Sequence, residues 1–362
     1  MKLSQPSTVE RIRVLAESIQ PLDQADLAKA ARHLDQLTKP LGSLGQLETI
    51  AAQLIAIRGE GVELPLRKAI YVFAADHGVA RAGVSAYPSK VTAQMVMNFL
   101  QGGAAINVLA RQHGAALTVV DTGVDADFDE SPGLRAMKVR RGSRNFLEEP
   151  AMTDEEMNAA LSAGLALADE AHTQGRDLVV AGEMGIGNTT AASAIAAMLT
   201  QCDPAEVTGA GTGLDDAGRI RKLDVIRRAL RKHFPEGSHA SALEVLQCVG
   251  GLEIAAMTGF VVGAAQHRMI VVCDGFISTA AAAIAAALAP NVKDYLVAGH
   301  CSQEPGHRLL LRHLGIDPVL RLNMRLGEGT GAVLAFPILE SALRLYFEVA
   351  TFGSAGISGA SA

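Results

Sequence analysis

Residues 178–190 read LVVAGEMGIGNTT: a short apolar run, a glycine-rich turn and the start of an alanine-rich segment. The β-branched apolar run favours a buried strand, and the segment after the turn has the composition of a helix. Such a turn directs backbone amides and a helix N-terminus at an anion, phosphate above all, although a strand-to-helix turn without a ligand is the alternative. Asn188 replaces the lysine of a P-loop, and Thr190 replaces the third glycine of a dinucleotide fingerprint. Ordinary ATP or NAD sites are therefore disfavoured.

The same order of elements recurs along the chain. Four further apolar runs end beside an acidic residue, a glycine or a histidine, at residues 69–75, 117–120, 269–273 and 295–298. Such runs alternating with helical segments predict an α/β fold with a parallel sheet flanked by helices. Ligands bind at the carboxyl ends of strands of this kind, which are followed here by Asp76, Asp121, Glu183 and Asp274. These acids predict an acidic cleft, although each of them could instead cap the following helix.

Composition narrows the class of protein. Of 362 residues, 49% are apolar and 19% are charged, which excludes a disordered chain. The net charge of −6 argues against a nucleic-acid partner or an anionic membrane surface. The irregular spacing of 4 cysteines and 10 histidines predicts neither disulfides nor a metal site. Because the first residues lack the apolar core of a signal peptide and no convincing membrane span follows, we expect a soluble cytoplasmic protein.

Two more glycine-rich segments are candidate sites. Residues 208–216 precede a basic helical segment, 219–228, and spacing alone does not show which of its cations could reach a phosphate. Residues 325–331 place Glu328 among glycines and close to Leu326. Glycines let a backbone approach a ligand, and an apolar neighbour raises the pKa of a carboxylate towards that of a useful base. An exposed glutamate in a turn explains the same spacing.

Several motifs follow one another along the chain in a distinctive order. They are KPLGSLG at 39–45, ADHGV at 75–79, GEMGIGNTT at 182–190, VGG at 249–251 with MTG at 257–259, DGF at 274–276 and MRLGEG at 324–329. With this order of motifs, the chain resembles the nicotinate-nucleotide–dimethylbenzimidazole phosphoribosyltransferase family of cobalamin nucleotide-loop assembly. The resemblance covers nearly the whole chain, and it is far more specific than any single glycine-rich loop.

The resemblance implies a fold and a reaction. It implies a Rossmann-like large domain at approximately 38–335 and a small helical domain built from both chain ends, 1–37 and 336–362. It also implies a homodimer that transfers the phosphoribosyl group of nicotinate mononucleotide to 5,6-dimethylbenzimidazole or a related base. The products are α-ribazole 5′-phosphate and nicotinate. No metal or redox cofactor is expected, because nicotinate leaves from a cationic nitrogen and only the incoming base must lose a proton.

The resemblance also assigns site residues. The general base of the family maps to Glu328, and Leu326 of the same motif is placed in the substrate site. The residues expected around the nucleotide are Glu183, Gly185, Gly187, Asn188, Thr189, Thr190, Lys222 and Ser302. Tyr87 and Met95 are expected in the pocket for the acceptor base. A well-known form of the family has a short hydroxyl and an amide at these two positions, so the preferred acceptor stays open among dimethylbenzimidazole, adenine, other benzimidazoles and phenols.

Two other kinds of function stay open at the level of the sequence. One is a related glycosyl transfer or hydrolysis, with water or another base as acceptor. The other is a non-catalytic protein that binds a nucleotide or a benzimidazole. The intact motif around Glu328 argues against the second of these.

Overall fold

A parallel β-sheet organises the fold. The structure is a computed structural model that describes residues 8–235 and 239–358. Its strands are β1 (Lys68–Ala75), β2 (Ala116–Gly123), β3 (Leu134–Ala136), β4 (Leu178–Met184), β5 (Ile270–Cys273), β6 (Leu296–His300) and β7 (Pro318–Leu320). They form one sheet in the order β3-β2-β1-β4-β5-β6-β7, and every neighbouring pair is parallel. The carboxyl ends of all strands therefore meet at one edge.

Helices fill most of the connections. They are α1 (Thr8–Ser18), α2 (Gln24–Gln36), α3 (Gln46–Arg58), α4 (Lys90–Leu100), α5 (Ala105–Gln112), α6 (Asp154–Thr173), α7 (Asn188–Thr200), α8 (Pro204–Val207), α9 (Asp216–His233), α10 (Ala242–Val249), α11 (Leu252–Gln266), α12 (Phe276–Leu288), α13 (Pro305–Leu314), α14 (Thr330–Glu348) and α15 (Phe352–Ala355). One packed group against the sheet contains α6, α11 and α12, and a second contains α3, α5 and α14. The α/β fold expected from the sequence is confirmed.

Close helix packing accounts for much of the glycine and alanine content. A Cβ atom on Gly164 of α6 would lie 1.9 Å from the carbonyl oxygen of Ala256 in α11. A Cβ atom on Gly259 of α11 would lie 2.1 Å from the carbonyl oxygen of Leu161 in α6. The two helices thus touch backbone to backbone, and any larger residue at either glycine would force them apart.

The predicted strands agree with the structure, but two short strands were not predicted. Each of the five apolar runs forms a strand, whereas β3 and β7 are 3-residue strands with partly exposed side chains and give no periodic signal. Helix α2 begins at Gln24, because Asp23 accepts a hydrogen bond from the Ala25 amide at 2.7 Å. It ends at Gln36, since Leu37 is extended and pairs with Thr351.

The segment after α2 meets the segment after α14. The amide of Thr38 donates to the carbonyl of Ala350 at 2.9 Å, next to the bridge between Leu37 and Thr351. Helix α14 leads from the cleft described below to this junction and packs against α3, α5 and β6. Among the described helices, α14 is the one long and apolar enough to cross a membrane, but 56% of its apolar window is buried inside the protein. It is accordingly a core helix.

Candidate active site

A cleft of ≈ 790 Å³ opens at the carboxyl edge of the sheet. The turn after β4 and the segments that follow β5, β6 and β7 form its walls, and α4 closes one side. Backbone amides and carboxyl groups gather here because every strand of the sheet ends at this edge. The cleft lies where the sequence predicted a ligand site.

Glu328 occupies a strained turn at the bottom of the cleft. Its φ is 65°, and its glycine neighbours Gly327 and Gly329 have φ of 85° and 93°. The side chain is buried, with 6% exposure, and its Oε2 atom accepts a hydrogen bond from the Ile106 amide at 3.4 Å. Burial raises the pKa of Glu328 to about 7, the negative charge of Asp274 acts in the same direction, and the Ile106 amide opposes both. An exposed glutamate in a turn, the alternative left by the sequence, is wrong.

Glu183 is a second buried carboxyl group in the cleft. It lies at the end of β4, and the Asn188 side-chain amide donates a hydrogen bond to it. A Cβ atom on Gly327 would lie 2.1 Å from its Oε1 atom, so the turn that carries Glu328 packs directly on this carboxyl group. Burial, reinforced by the charge of Asp274, raises the pKa of Glu183 to about 8. Glu183 therefore holds a proton at neutral pH, which limits the negative charge in the cleft.

Asp274 is a third buried acid, and its charge acts on both Glu183 and Glu328. This residue follows β5 and accepts hydrogen bonds from the amides of Gly329, at 3.1 Å, and Ala332, at 3.0 Å. His300 Nε2 lies 3.8 Å from its carboxylate. Burial raises the pKa of Asp274, and the nearby His300 and the amides of the α14 N-terminus lower it. Asp274 thus fixes the start of α14 and the turn before it.

The turn after β4 forms one end of the cleft, and the basic helix α9 supports it from behind. Lys222 of α9 is fully buried, and its Nζ atom donates to the Thr189 hydroxyl at 2.9 Å. Burial lowers the pKa of Lys222 to about 8. The Glu304 carboxylate accepts a hydrogen bond from the Gly211 amide at 2.9 Å and favours the charged lysine. A buried cation beside hydroxyl and backbone donors can hold a phosphate.

Ser302 lies between β6 and this end of the cleft. Its amide donates to His307 Nδ1 at 2.9 Å, so the proton of the neutral ring is on Nε2, which lies 2.9 Å from the Thr279 hydroxyl. Burial lowers the pKa of His307 to about 3, which keeps the ring neutral.

In the described part of the chain, no three His, Cys, Asp or Glu side chains are grouped so that they could hold a metal ion.

The side of the cleft formed by α4 is mostly apolar. Val91 and Met95 of α4 line it, together with Tyr87 just before the helix. Tyr87 and Leu326 remain 56% and 55% exposed, so they stand at the mouth rather than in the core. A flat, largely apolar ring could lie between them and Glu328.

The structure brings most of the predicted site residues together. Those that line the cleft are Tyr87, Met95, Glu183, Gly185, Asn188, Thr189, Ser302, Leu326 and Glu328. Gly187, Thr190 and Lys222 lie behind this lining: Gly187 packs against His77, Thr190 is buried in α7, and Lys222 reaches the cleft through Thr189. The buried positions of α9 include 218, 222, 225, 226 and 229, a helical stripe that could have singled out Lys222.

The sequence missed Glu304 and Arg325, which both line the cleft. Glu304 stands four residues beyond the end of β6, too far for the pattern of an acid directly after a strand. Arg325 belongs to the glycine-rich segment at 325–331, but its spacing carried no signal of its own.

The predicted acidic cleft is only partly correct. Of the four acids at strand ends, Glu183 lines the cleft and Asp274 supports it from behind. Asp121 instead accepts hydrogen bonds from the Gly123 and Val124 amides, and Asp76 accepts one from the Asp125 amide. Asp121 thus holds the loop that follows β2, and Asp76 reaches the same loop from the end of β1. Neither caps a helix, so the capping alternative does not describe these two acids either.

His77 has a partner that adjacency in sequence could not reveal. It does not pair with its neighbour Asp76; its Nε2 atom lies 2.6 Å from the Glu253 carboxylate, and both side chains are buried. The pair is packed beneath Gly185 and Gly251, outside the lining of the cleft.

Comparison with known proteins agrees with this geometry. A phosphoribosyltransferase family model matches residues 19–357. The nicotinate-nucleotide–dimethylbenzimidazole phosphoribosyltransferase of Chloroflexus aurantiacus is 50% identical over 350 residues, which cover 97% of this chain and 99% of that relative. The protein of the same name from Geotalea uraniireducens is 51% identical over 340 residues, 94% of this chain and 96% of that relative.

Solved structures show the same fold. The crystal structure of CobT from Thermus thermophilus has a TM-score of 0.89 and 47% identity, and the match covers 93% of this chain and 100% of that one. The shared fold, the full-length identity and the shared motifs leave one assignment. The chain belongs to the nicotinate-nucleotide–dimethylbenzimidazole phosphoribosyltransferase family.

Proposed function

We propose that this protein transfers the phosphoribosyl group of nicotinate mononucleotide to 5,6-dimethylbenzimidazole or a related base, with Glu328 as the general base. The products are α-ribazole 5′-phosphate and nicotinate, a step of cobalamin biosynthesis. The names of the relatives support the reaction. The observation that carries the role of Glu328 is its place in the cleft, buried on a strained turn, where burial raises its pKa to about 7.

The transfer reaction requires one proton acceptor. Nicotinate leaves from a cationic pyridinium nitrogen and takes the bonding electrons, so it needs no proton. One nitrogen of the benzimidazole attacks C1′ while the other loses its proton to Glu328. A base with a pKa near the working pH is the most effective, and general-base help of this kind contributes roughly 10²–10⁴-fold to the rate. Attack opposite the leaving group converts the β nucleotide into the α product.

The nucleotide occupies the end of the cleft near Lys222 in this proposal. Thr189, Ser302 and the backbone of Gly185 stand around its phosphate and ribose, with the Lys222 cation behind Thr189. Gly187 and Thr190 shape the turn from behind, and Glu183, protonated at neutral pH, adds no charge next to the pyridinium ring. The rest of the rate enhancement comes from holding both rings in line.

The acceptor base occupies the apolar side, between Tyr87, Met95 and Leu326. This side has aromatic, thioether and aliphatic surfaces, which suit the edge of a dimethylated benzimidazole. A purine acceptor would bring an exocyclic amine, for which Met95 supplies no strong hydrogen-bonding partner. We therefore propose dimethylbenzimidazole as the preferred acceptor.

We also propose a soluble, cytoplasmic homodimer with two domains in each chain. Tyr87, Leu322 and Leu326 expose 56%, 53% and 55% of their surface around the cleft mouth, and a second copy would cover them. The large domain would span 38–335, and the small one 1–37 with 336–362, of which residues 1–7 and 359–362 lie outside the described part. Sedimentation should give a particle of twice the chain mass of 37.8 kDa, and a monomer would reject the dimer.

A product assay tests the reaction. The protein is mixed with nicotinate mononucleotide and a panel of acceptor bases, and α-ribazole phosphate and nicotinate are measured by mass spectrometry. We expect both products in equal amounts with dimethylbenzimidazole. Release of nicotinate without an added base would instead indicate a hydrolase, and tight binding without turnover in calorimetry would indicate a binding protein.

A further inference from the structure

Arg325 reaches across the cleft. It lies three residues before Glu328, on the segment that joins β7 to α14. Its Nη1 atom donates to the carbonyl of Gly211, on the opposite wall, at 3.1 Å. Within residues 8–235 and 239–358, no carboxylate lies within ion-pair distance of its guanidinium. A guanidinium has five donor hydrogens, so most of its fork is available to a ligand in the cleft.

The glutamates that line the cleft favour a cation at the position of Arg325. Three glutamates, Glu183, Glu304 and Glu328, line the cleft, and Arg325 is the sole lysine or arginine among the described lining residues. Lys222 lies behind Thr189 and can offer only one point charge from below. A phosphate carries two charges at neutral pH and is best held by a cation on each side.

Gly211 lies next to both cations, Lys222 and Arg325. A Cβ atom on Gly211 would lie 3.0 Å from Lys222 Nζ and 2.8 Å from the Thr189 hydroxyl, while its carbonyl accepts the hydrogen bond from Arg325. The guanidinium therefore lies at the same end of the cleft as the buried lysine. A phosphate placed next to Thr189 would be within reach of Arg325 after a small rotation of its side chain.

We propose that Arg325 is the specificity-determining residue for the 5′-phosphate of the mononucleotide, which it clamps against Thr189 and Lys222. The inference rests on the proposed function, since it assumes a nucleotide substrate. The same short segment carries Arg325 and Glu328, so closing the arginine on the phosphate also holds the base in place. Binding energy from a remote phosphate is then used to position the catalytic group.

A comparison of two substrates tests the proposal. Nicotinate mononucleotide and nicotinate riboside, which differ by the phosphate, are offered to the wild type, Arg325→Ala, Arg325→Lys and the control Arg321→Ala. Arg321 is exposed on the same segment and does not line the cleft. We expect Arg325→Ala to lower the mononucleotide-to-riboside ratio of kcat/KM by about 100-fold, because charge-assisted hydrogen bonds to a phosphate are lost. Arg325→Lys should recover part of the ratio, and Arg321→Ala should keep it.

A merely structural role would lower both values and leave their ratio unchanged, which would overturn the proposal. Calorimetric binding of the same two ligands gives an independent readout. Weaker binding of the mononucleotide to Arg325→Ala, with the riboside less affected, supports the assignment even if the protein catalyses no transfer. Equal affinity of the mononucleotide for wild type and Arg325→Ala rejects it. Absence of transfer by the wild type bears on the proposed function alone.

Discussion

The carboxylate of Asp274 accepts a hydrogen bond from the backbone amide of Gly329 at 3.1 Å. Asp274 follows β5, whereas Gly329 follows Glu328 on the segment after β7, so the end of one strand fixes the turn that carries Glu328. The same carboxylate adds negative charge near Glu328, which helps to raise the pKa of that residue. Asp274 thus contributes both to the position of Glu328 and, alongside burial, to its raised pKa.

Glu328→Gln tests the general base directly. Glutamine keeps the size of the side chain but cannot accept the proton of the benzimidazole, so kcat should fall by roughly 10²–10⁴-fold. Affinity for nicotinate mononucleotide, measured by calorimetry, should change little. Glu348→Gln, at the exposed far end of α14, is the control and should keep full turnover. Normal turnover by Glu328→Gln would mean that another group accepts the proton.

The pH dependence of the reaction follows from the pKa of the same residue. Glu328 acts as a base only when it is ionised, and burial raises its pKa to about 7. We expect kcat/KM to rise with pH, with a midpoint at about 7, and to level off above it. The remaining activity of Glu328→Gln should lack this rise. A rise in kcat/KM with its midpoint near the ordinary carboxyl pKa of 4.5 would contradict the burial argument.

Much of the fold was predictable because its signals are local. The run at 178–190 shows strand, turn and helix within thirteen consecutive residues, and the structure has β4, the turn and α7 there. The strands β3 and β7 left no such signal, because each has 3 residues with partly exposed side chains. Their pairing depends on neighbours far away in sequence.

Most of the residues that the sequence pointed to line the cleft, but their electrostatics could not be predicted. The family motifs singled out Glu328, yet spacing alone favoured an exposed turn. Its burial depends on Ile106, 222 residues away in sequence, and on Asp274 from another strand. Likewise, nothing near Glu304 in the sequence indicates that its carboxylate accepts a hydrogen bond from the Gly211 amide, 93 residues earlier in the chain. Long-range contacts of this kind are set by the packed fold.

Lys222→Met should separate function from stability. Methionine fills the same buried space without a charge, so KM for the mononucleotide should rise, because the cation behind Thr189 is lost. Burial lowers the pKa of Lys222 from 10.5 to about 8, so the native protein should gain stability as pH rises through this range, and the variant should not. Urea unfolding at several pH values measures the stability, and initial rates at several mononucleotide concentrations measure KM. Arg219→Met, on the exposed face of α9, is the control, and equal behaviour of the two variants would contradict this account.

Gly327→Ala should distort the turn that carries Glu328. The φ of Gly327 is 85°, and its Cβ atom would lie 2.1 Å from Glu183 Oε1, so either the turn or Glu183 must move. We expect a loss of about 1–3 kcal/mol in unfolding free energy and a fall in kcat. Gly315→Ala is a matched control, because its φ is 72° but its Cβ atom would meet nothing within 4 Å. It should cost about 1 kcal/mol and leave kcat unchanged. A similar kcat in both variants would show that the close contact with Glu183 does not position the base.

The acceptor preference depends on a side chain that cannot pair with a purine edge. Met95 lines the acceptor side of the cleft with Tyr87 and Val91, and none of the three offers an amide. The wild type should therefore prefer dimethylbenzimidazole to adenine, because Met95 offers the exocyclic amine of adenine no strong partner in place of the water that it loses.

Met95→Gln restores an amide at that position and should shift the ratio of kcat/KM towards adenine by about 10-fold, since one neutral hydrogen bond contributes about 0.5–1.5 kcal/mol. Met97→Gln is the control and places the same amide two residues further along α4. Met97 is 44% exposed and does not line the cleft. Competition assays with both bases present measure the ratio directly. Because the two variants introduce the same group into the same helix, a shift confined to Met95→Gln would assign acceptor choice to the lining of the cleft, and an equal shift in both would reject it.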